Sequence, residues 1–178
     1  MIVLGFGGSS DMPRDRLVIR DASPVDYGDL LSMWRELMET HTERDERFAL
    51  AEACDQRFLS YIETARSRDD YRVRVAATRR GPEGFTISCV LPNSPVYRAR
   101  WIGYVNDICV TESARGKGIG KALVRDAVDW MCDRGAESVE VYVAKANEEA
   151  GRFWRSMGGR EYLERLSLDL GRFGRERR

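Results

Sequence analysis

The sequence predicts an α/β (α+β) chain in which helix-period and strand-period stretches succeed one another. Three observations carry this. Two apolar stripes at helical spacing lie early: Leu30, Leu31, Trp34, Leu37, Met38 and His41, then Leu50, Cys54, Phe58, Tyr61, Ile62 and Ala65. Each is the pattern of a helix that buries one face. Short alternating segments, at Leu17 to Arg20, Tyr71 to Thr78, Phe85 to Leu91 and Val139 to Val143, read as strands. A glycine-rich turn at Gly116, Gly118 and Gly120 separates the strand-like stretch Trp101 to Val110 from a third apolar stripe.

In chain order, residues 1–16 read as a mobile leader, because the apolar start MIVLGFGG has no helical pattern after it. Ser23-Pro24 is an N-cap followed by proline at the first helical position. The second helix is expected from about Phe48 to Arg68. Arg79 to Gly84 supplies turn residues between two strands, and Pro92 to Arg100 is a loop with two prolines. After the glycine-rich turn, Leu123, Val124, Ala127, Val128, Trp130 and Met131 form a buried helical face, with Gly135 as its stop. Asn147 reads as the N-cap of a last helix with Ala150, Phe153, Trp154 and Met157 inward, and Tyr162 to Leu170 alternates as a final strand. Residues 17–170 are expected to form one domain, with 171–178 a basic solubilising tail.

Composition narrows the function classes. Lysine plus arginine and aspartate plus glutamate both number 29, so no global field favours nucleic acid or a membrane surface. The four cysteines show no C-x-x-C pair, and with one histidine no metal cluster is expected. Reduced thiols point to a cytoplasmic protein. No apolar stretch is long enough to span a bilayer.

The glycine-rich turn is where chemistry is first legible. Glycines opening a helix leave backbone N–H groups pointing outward at the positive end of the dipole, which suits a phosphate. Arg115, Lys117 and Lys121 add charge to the same turn. Gly-Lys is not followed by Ser or Thr, so a Walker loop is excluded, and G-x-G-x-G late in the chain is not a dinucleotide fingerprint. The pattern Arg-x-x-Gly-x-Gly, at Arg115, Gly118 and Gly120 after Asp107-Ile108-Cys109-Val110, resembles the acetyl-CoA-binding motif of the GNAT N-acetyltransferase superfamily. Asn147, Ala150, Phe153-Trp154 and Gly158 resemble that family's second segment, in the same order.

The resemblance implies a GNAT fold, a mixed central sheet with a splayed strand pair flanked by helices. It implies acetyl-CoA as co-substrate and no metal. The diphosphate would lie on Arg115, Gly116, Lys117, Gly118, Ile119, Gly120 and Lys121. The pantetheine arm would pair with the backbone of Ile108, Cys109 and Val110, the Val110 amide acting as oxyanion donor. Asn147, Ala150, Phe153 and Trp154 would complete the cofactor site. The acceptor would be a small-molecule amine or a peptide N-terminus, and dimers are frequent in the family.

For proton transfer the chain departs from its better-known relatives. Asn106 and Trp154 stand where diamine acetyltransferases and many other members carry glutamate and tyrosine. Asp107 is the nearest carboxylate, but strand alternation puts it on the face opposite Asn106, where a structural hydrogen bond is expected. His41 is a general-base candidate by its ordinary pKa and a capping residue by its place at a helix end. Ordered water and Tyr104 are further routes. Tyr97, Arg98 and Arg100 in the loop, and Glu36, Glu39 and Asp45, are candidate acceptor contacts. Two other readings stay open, a non-catalytic acyl-CoA-binding domain and a nucleotide-binding module using the same turn.

Overall fold

The computed structural model describes residues 16–168 and 171. Its elements follow in the expected order: β1 (Val18–Asp21), α1 (Tyr27–Arg44), α2 (Cys54–Arg66), β2 (Tyr71–Thr78), β3 (Gly81–Pro92), β4 (Trp101–Val110), α3 (Ile119–Asp133), β5 (Ser138–Val141) and α4 (Glu148–Ser156). The chain divides into two compact units, with the boundary between Asn147 and Glu148.

In the first unit the strands lie in the order β1-β2-β3-β4-β5. The first four are antiparallel, and β5 runs parallel to β4. Leu30, Met33, Trp34, Phe58 and Ile62 of α1 and α2 pack on Val73, Val75, Phe85, Ile87 and Cys109. Ile119 and Leu123 of α3 pack with Ala76, Ile108 and Val110. Val75 and Ala76 are consecutive on β2, so their side chains point to opposite faces and the helices cover the sheet on both sides. Buried Arg74 ties β2 to α3 through Asp126, at 2.9 and 2.8 Å.

The entry to α1 is held by a buried carboxylate. Asp26, 2% exposed, accepts from both Arg20 terminal nitrogens at 2.8 and 2.7 Å and from the Ser23 amide and hydroxyl at 2.8 Å each. These bonds, that of Arg20 foremost, hold its pKa well below the usual carboxylate range. A depressed folded pKa stabilises above the unfolded value and is lost as pH falls through the folded one. Thermal midpoints measured from pH 5 down to pH 2 should therefore fall more steeply in the wild type than in Asp26→Asn. The substitution should cost about 2 kcal/mol at pH 7, since it leaves Arg20 without its partner.

Three segments differ from the sequence expectation. The second helix starts at Cys54 rather than near Phe48; a single 3-10 turn, Glu46–Phe48, capped by Asp45, comes first. Ala53 is left-handed at φ 54°, and Leu50 is exposed instead of inward. β3 begins at Gly81, so the supposed turn residues 81–84 are strand and the turn shrinks to Arg79-Arg80. Residues 161–168 form no strand, because alternation alone does not make one without a hydrogen-bonded neighbour. Asp169 and Leu170 of that expected strand, the leader up to Asp15 and the tail from Arg172 onward lie outside the described residues.

Candidate functional site

The site is built around the second half of β4. Pairing with β5 runs from Ile102–Ser138 to Val105–Val141 and stops there, while β4 continues to Val110. Asp107 to Val110 are thus paired with β3 on one side, and no strand among the described residues pairs with them on the other. Such an edge offers unpaired backbone groups to an extended amide chain. One of them is engaged within the chain: Arg115 Nε donates to the Val110 carbonyl at 3.3 Å.

A bulge decides which side chains face this edge. Ile87 pairs with Asp107 but Ser88 pairs with Val105, so Asn106 is the extra residue. An inserted residue resets the alternation, and the expectation that Asp107 faces away from Asn106 is corrected. Asn106 Oδ1 accepts from the thiol of Cys89, the β3 residue whose neighbour Ile87 in the same alternation packs under α1 and α2. Asp107 pairs with Ile87 and precedes Cys109 by two, and Cys109 donates its thiol proton to the Met33 carbonyl of α1 at 3.3 Å. Asn106 and Asp107 therefore share the face covered by α1 and α2.

Burial sets the protonation of this face. Asp107 is half-buried, and desolvation raises its pKa from 3.8 to about 6. Its carboxyl has no hydrogen-bonding partner among the described residues, so the expected structural bond is not formed. The Tyr61 phenol is pushed above its ordinary value by burial and then by the neighbouring Asp107 carboxylate. Cys109 is pushed up to about 11 by burial, with Glu36 adding to it. A thiol so reluctant to ionise, already bonded to a helix carbonyl, makes a poor nucleophile. The Tyr104 phenol is raised by burial and then by Glu140, and its ring stacks on Tyr142 at 6.5 Å.

The turn after β4 opens α3. Ala114 and Ile119 are buried and anchor it, while Arg115, Gly116, Lys117 and Gly118 are exposed. Gly116 and Gly118 have φ of 76° and 83°, a region in which other residues are strained. Apart from the glycines and their chain neighbours, no described atom lies within 4 Å of where a Cβ at either would sit, so the space in front of the turn is open. Gly118 caps α3, and the first helical bond runs from the Ala122 amide to the Gly118 carbonyl at 3.0 Å. The amides of Ile119, Gly120 and Lys121 precede that bond and lack helical acceptors. Three cationic side chains and these amides are groups that could hold a diphosphate.

Other expected residues fall elsewhere. His41 is in the last turn of α1, eight residues past Met33, or about 12 Å along the axis. Its ring lies 5.0 Å from Phe48, its Nδ1 is buried without a partner among the described residues, and burial followed by Arg44 lowers its pKa. Glu39, Thr42, Glu43 and Leu50 line a hollow of about 300 Å³. Asp45 is paired with Arg47, and Tyr97, Arg98 and Arg100 are exposed. Asn147 is buried, its amide bonded to Ala144 at 2.7 Å. Ala150, Phe153 and Trp154 are on α4 in the second unit, where the Phe153 and Trp154 rings meet edge to face at 5.2 Å. Sequence reasoning passed over Cys89 as a site residue; its alternation with buried neighbours on β3 was the available signal. Among the described residues no group of three or more metal-ligating side chains occurs, and no helix is long and apolar enough to cross a membrane.

Comparison with known proteins agrees with this fold. The chain is 27% identical over 162 residues to the thialysine N-epsilon-acetyltransferase of Bos taurus, covering 88% of this chain and 92% of that protein. An uncharacterized N-acetyltransferase of Archaeoglobus fulgidus is 28% identical over 97 residues, 54% of this chain and 65% of its own length. A second archaeal relative, from Methanocaldococcus jannaschii, is matched over 44% of its length, so the chain spans less than two thirds of both. Among solved structures, a tetramutant of a Bacillus halodurans protein superposes with TM-score 0.74 at 26% identity, covering 86% of this chain and 99% of that one. An aminoglycoside N-acetyltransferase in complex with CoA shares the fold at TM-score 0.73 and 15% identity, covering 88% and 97%. The model of the acetyltransferase (GNAT) family matches residues 30–158, well over half of the sequence, and the chain belongs to that family.

Proposed function

We propose that this protein is an acetyl-CoA-dependent N-acetyltransferase that transfers an acetyl group directly to a primary amine, of a small molecule or a peptide N-terminus. The observation that carries the reading is the free edge of β4 from Asn106 to Val110, which leads to a glycine turn with open space before it. Acetyl-CoA supplies the acyl group already activated as a thioester. The amides of residues 119–121 with Arg115, Lys117 and Lys121 hold the diphosphate. The edge of Ile108, Cys109 and Val110 binds the amide-bearing arm, with the Val110 amide directed at the thioester oxygen to stabilise developing charge.

The remaining task is to take a proton from the attacking amine. Asp107 suits it: a carboxylate with a pKa of about 6 is ionised at neutral pH, yet is a stronger base than an ordinary aspartate. Asn106 beside it has no basicity. Cys109 takes no covalent role. Relatives with this family's activity act on substrates as different as thialysine, glucosamine 6-phosphate and streptothricin, to judge by their names, so the family leaves the acceptor open.

The test is release of free coenzyme A thiol from acetyl-CoA against a panel of primary amines. Amine-dependent release is expected for at least one member. Tight acetyl-CoA binding with no amine acetylated would favour a non-catalytic acyl-CoA-binding domain, and preferential thermal protection by ATP or NAD would favour a nucleotide-binding module.

A further inference from the structure

Asn106 is held in one orientation by a buried residue. Cys89 is wholly buried, and its thiol lies 3.2 Å from Asn106 Oδ1. The contact runs from the Cys89 thiol to that oxygen, and burial, the largest influence on it, raises the Cys89 pKa, so the sulfur keeps its proton at neutral pH. The amide oxygen is then the atom turned inward, and Nδ2 with its two N–H groups is turned the other way. Asn106 is an exposed residue, and Nδ2 has no partner among the described residues. The bulge places this donor on the same face as the Asp107 carboxylate, from a Cα about 3.8 Å away. A neutral donor next to a base is complementary to a molecule presenting an amine and, close by, an oxygen that accepts a hydrogen bond. It offers nothing to a second ammonium, which brings only donors.

We infer that Asn106 selects acceptor amines bearing a hydroxyl, carbonyl or carboxylate oxygen near the nitrogen, in preference to plain alkyl amines and diamines. Asn106 is the specificity-determining residue, and Cys89 is a positioning residue that fixes which end of the amide faces the acceptor. The inference rests on the transferase reading above.

The test measures kcat/KM with acetyl-CoA for 2-aminoethanol, propylamine and 1,2-diaminoethane. The wild type should favour 2-aminoethanol over propylamine by roughly 5- to 10-fold, the worth of one net hydrogen bond. In Asn106→Ala this ratio should collapse toward one, and Asn106→Asp, which exchanges donor for anion, should tilt it toward the diamine. Cys89→Ser keeps a donor to Oδ1 and should keep the ratio, whereas Cys89→Ala releases the amide and should lower it. These ratios compare two substrates on one enzyme, so a general loss of folding does not move them. Turnover with no preference for the oxygen, or a preference that survives Asn106→Ala, overturns this inference alone. Absence of amine-dependent turnover across the wider panel overturns the transferase reading and this one with it.

Discussion

Replacing Asp107 with asparagine should make the protein more stable and nearly inactive. The carboxyl is half-buried without a cation or donor among the described residues, and burial alone raises its pKa from 3.8 to about 6. A raised folded pKa means that the native state prefers the neutral form. Stability from that preference is complete below pH 3.8 and is lost as pH rises through about 6. Above that point the native state carries a buried charge, at a cost of up to about 3 kcal/mol from the shift of roughly two units. An asparagine side chain cannot ionise, so denaturant titrations of the wild type and Asp107→Asn should agree near pH 4. At pH 8 the variant should be ahead, by about 1–3 kcal/mol after allowing for the exposed part of the group. The same substitution removes the proposed proton acceptor, and kcat should fall by about 10²- to 10⁴-fold. In the wild type, activity should rise with pH through about 6, and the variant should lack that limb. Lower activity with lower stability would instead mark Asp107 as structural.

Gly118→Val should abolish useful affinity for coenzyme A thioesters. Gly118 has φ 83°, where a side chain costs about 1–2 kcal/mol, more when β-branched. That cost falls on the cap of α3, whose first amides are the anion donors. The new side chain would also project into the open space before the turn, because no described atom beyond its chain neighbours lies within 4 Å of its Cβ. An affinity loss of 100-fold or more, about 3 kcal/mol, is expected. Gly118→Asn separates the two causes, since asparagine tolerates left-handed φ but still fills the space. If bulk against the ligand dominates, both variants lose binding in isothermal titration; if backbone strain dominates, asparagine retains most of it.

The parts of this site that were legible in the sequence are those where a residue type answers to one local requirement. Glycines at 116 and 118 were readable because left-handed φ calls for them, and the turn they mark is where the structure has it. The stripes of α1 and α3 were readable because burial repeats with the helix period, down to Leu123, Ala127, Trp130 and Met131. The bulge was not. Trp101 to Val110 reads as an unbroken strand, and nothing in Val105-Asn106-Asp107 announces that one residue is extra; only the pairing with β3 does. One unpaired residue moved Asp107 to the other face, where it is the base we propose rather than a structural partner. The late start of α2 was missed for a related reason: Leu50 fits the stripe, but Asp45 and left-handed Ala53 divert the chain first. The expected strand at 162–170 shows the converse, alternation in a segment that no neighbour pairs over its described residues.

The most direct measurement is a calorimetric titration of the purified chain with acetyl-CoA. If the edge of β4 and the turn from Arg115 to Lys121 hold that molecule, heat should report one site per chain with affinity in the micromolar range, near about −8 kcal/mol. The affinity should weaken as salt is added, because the diphosphate is held partly by charge. No detectable heat at any accessible concentration, or equal affinity for the wild type and Gly118→Val, would contradict the account.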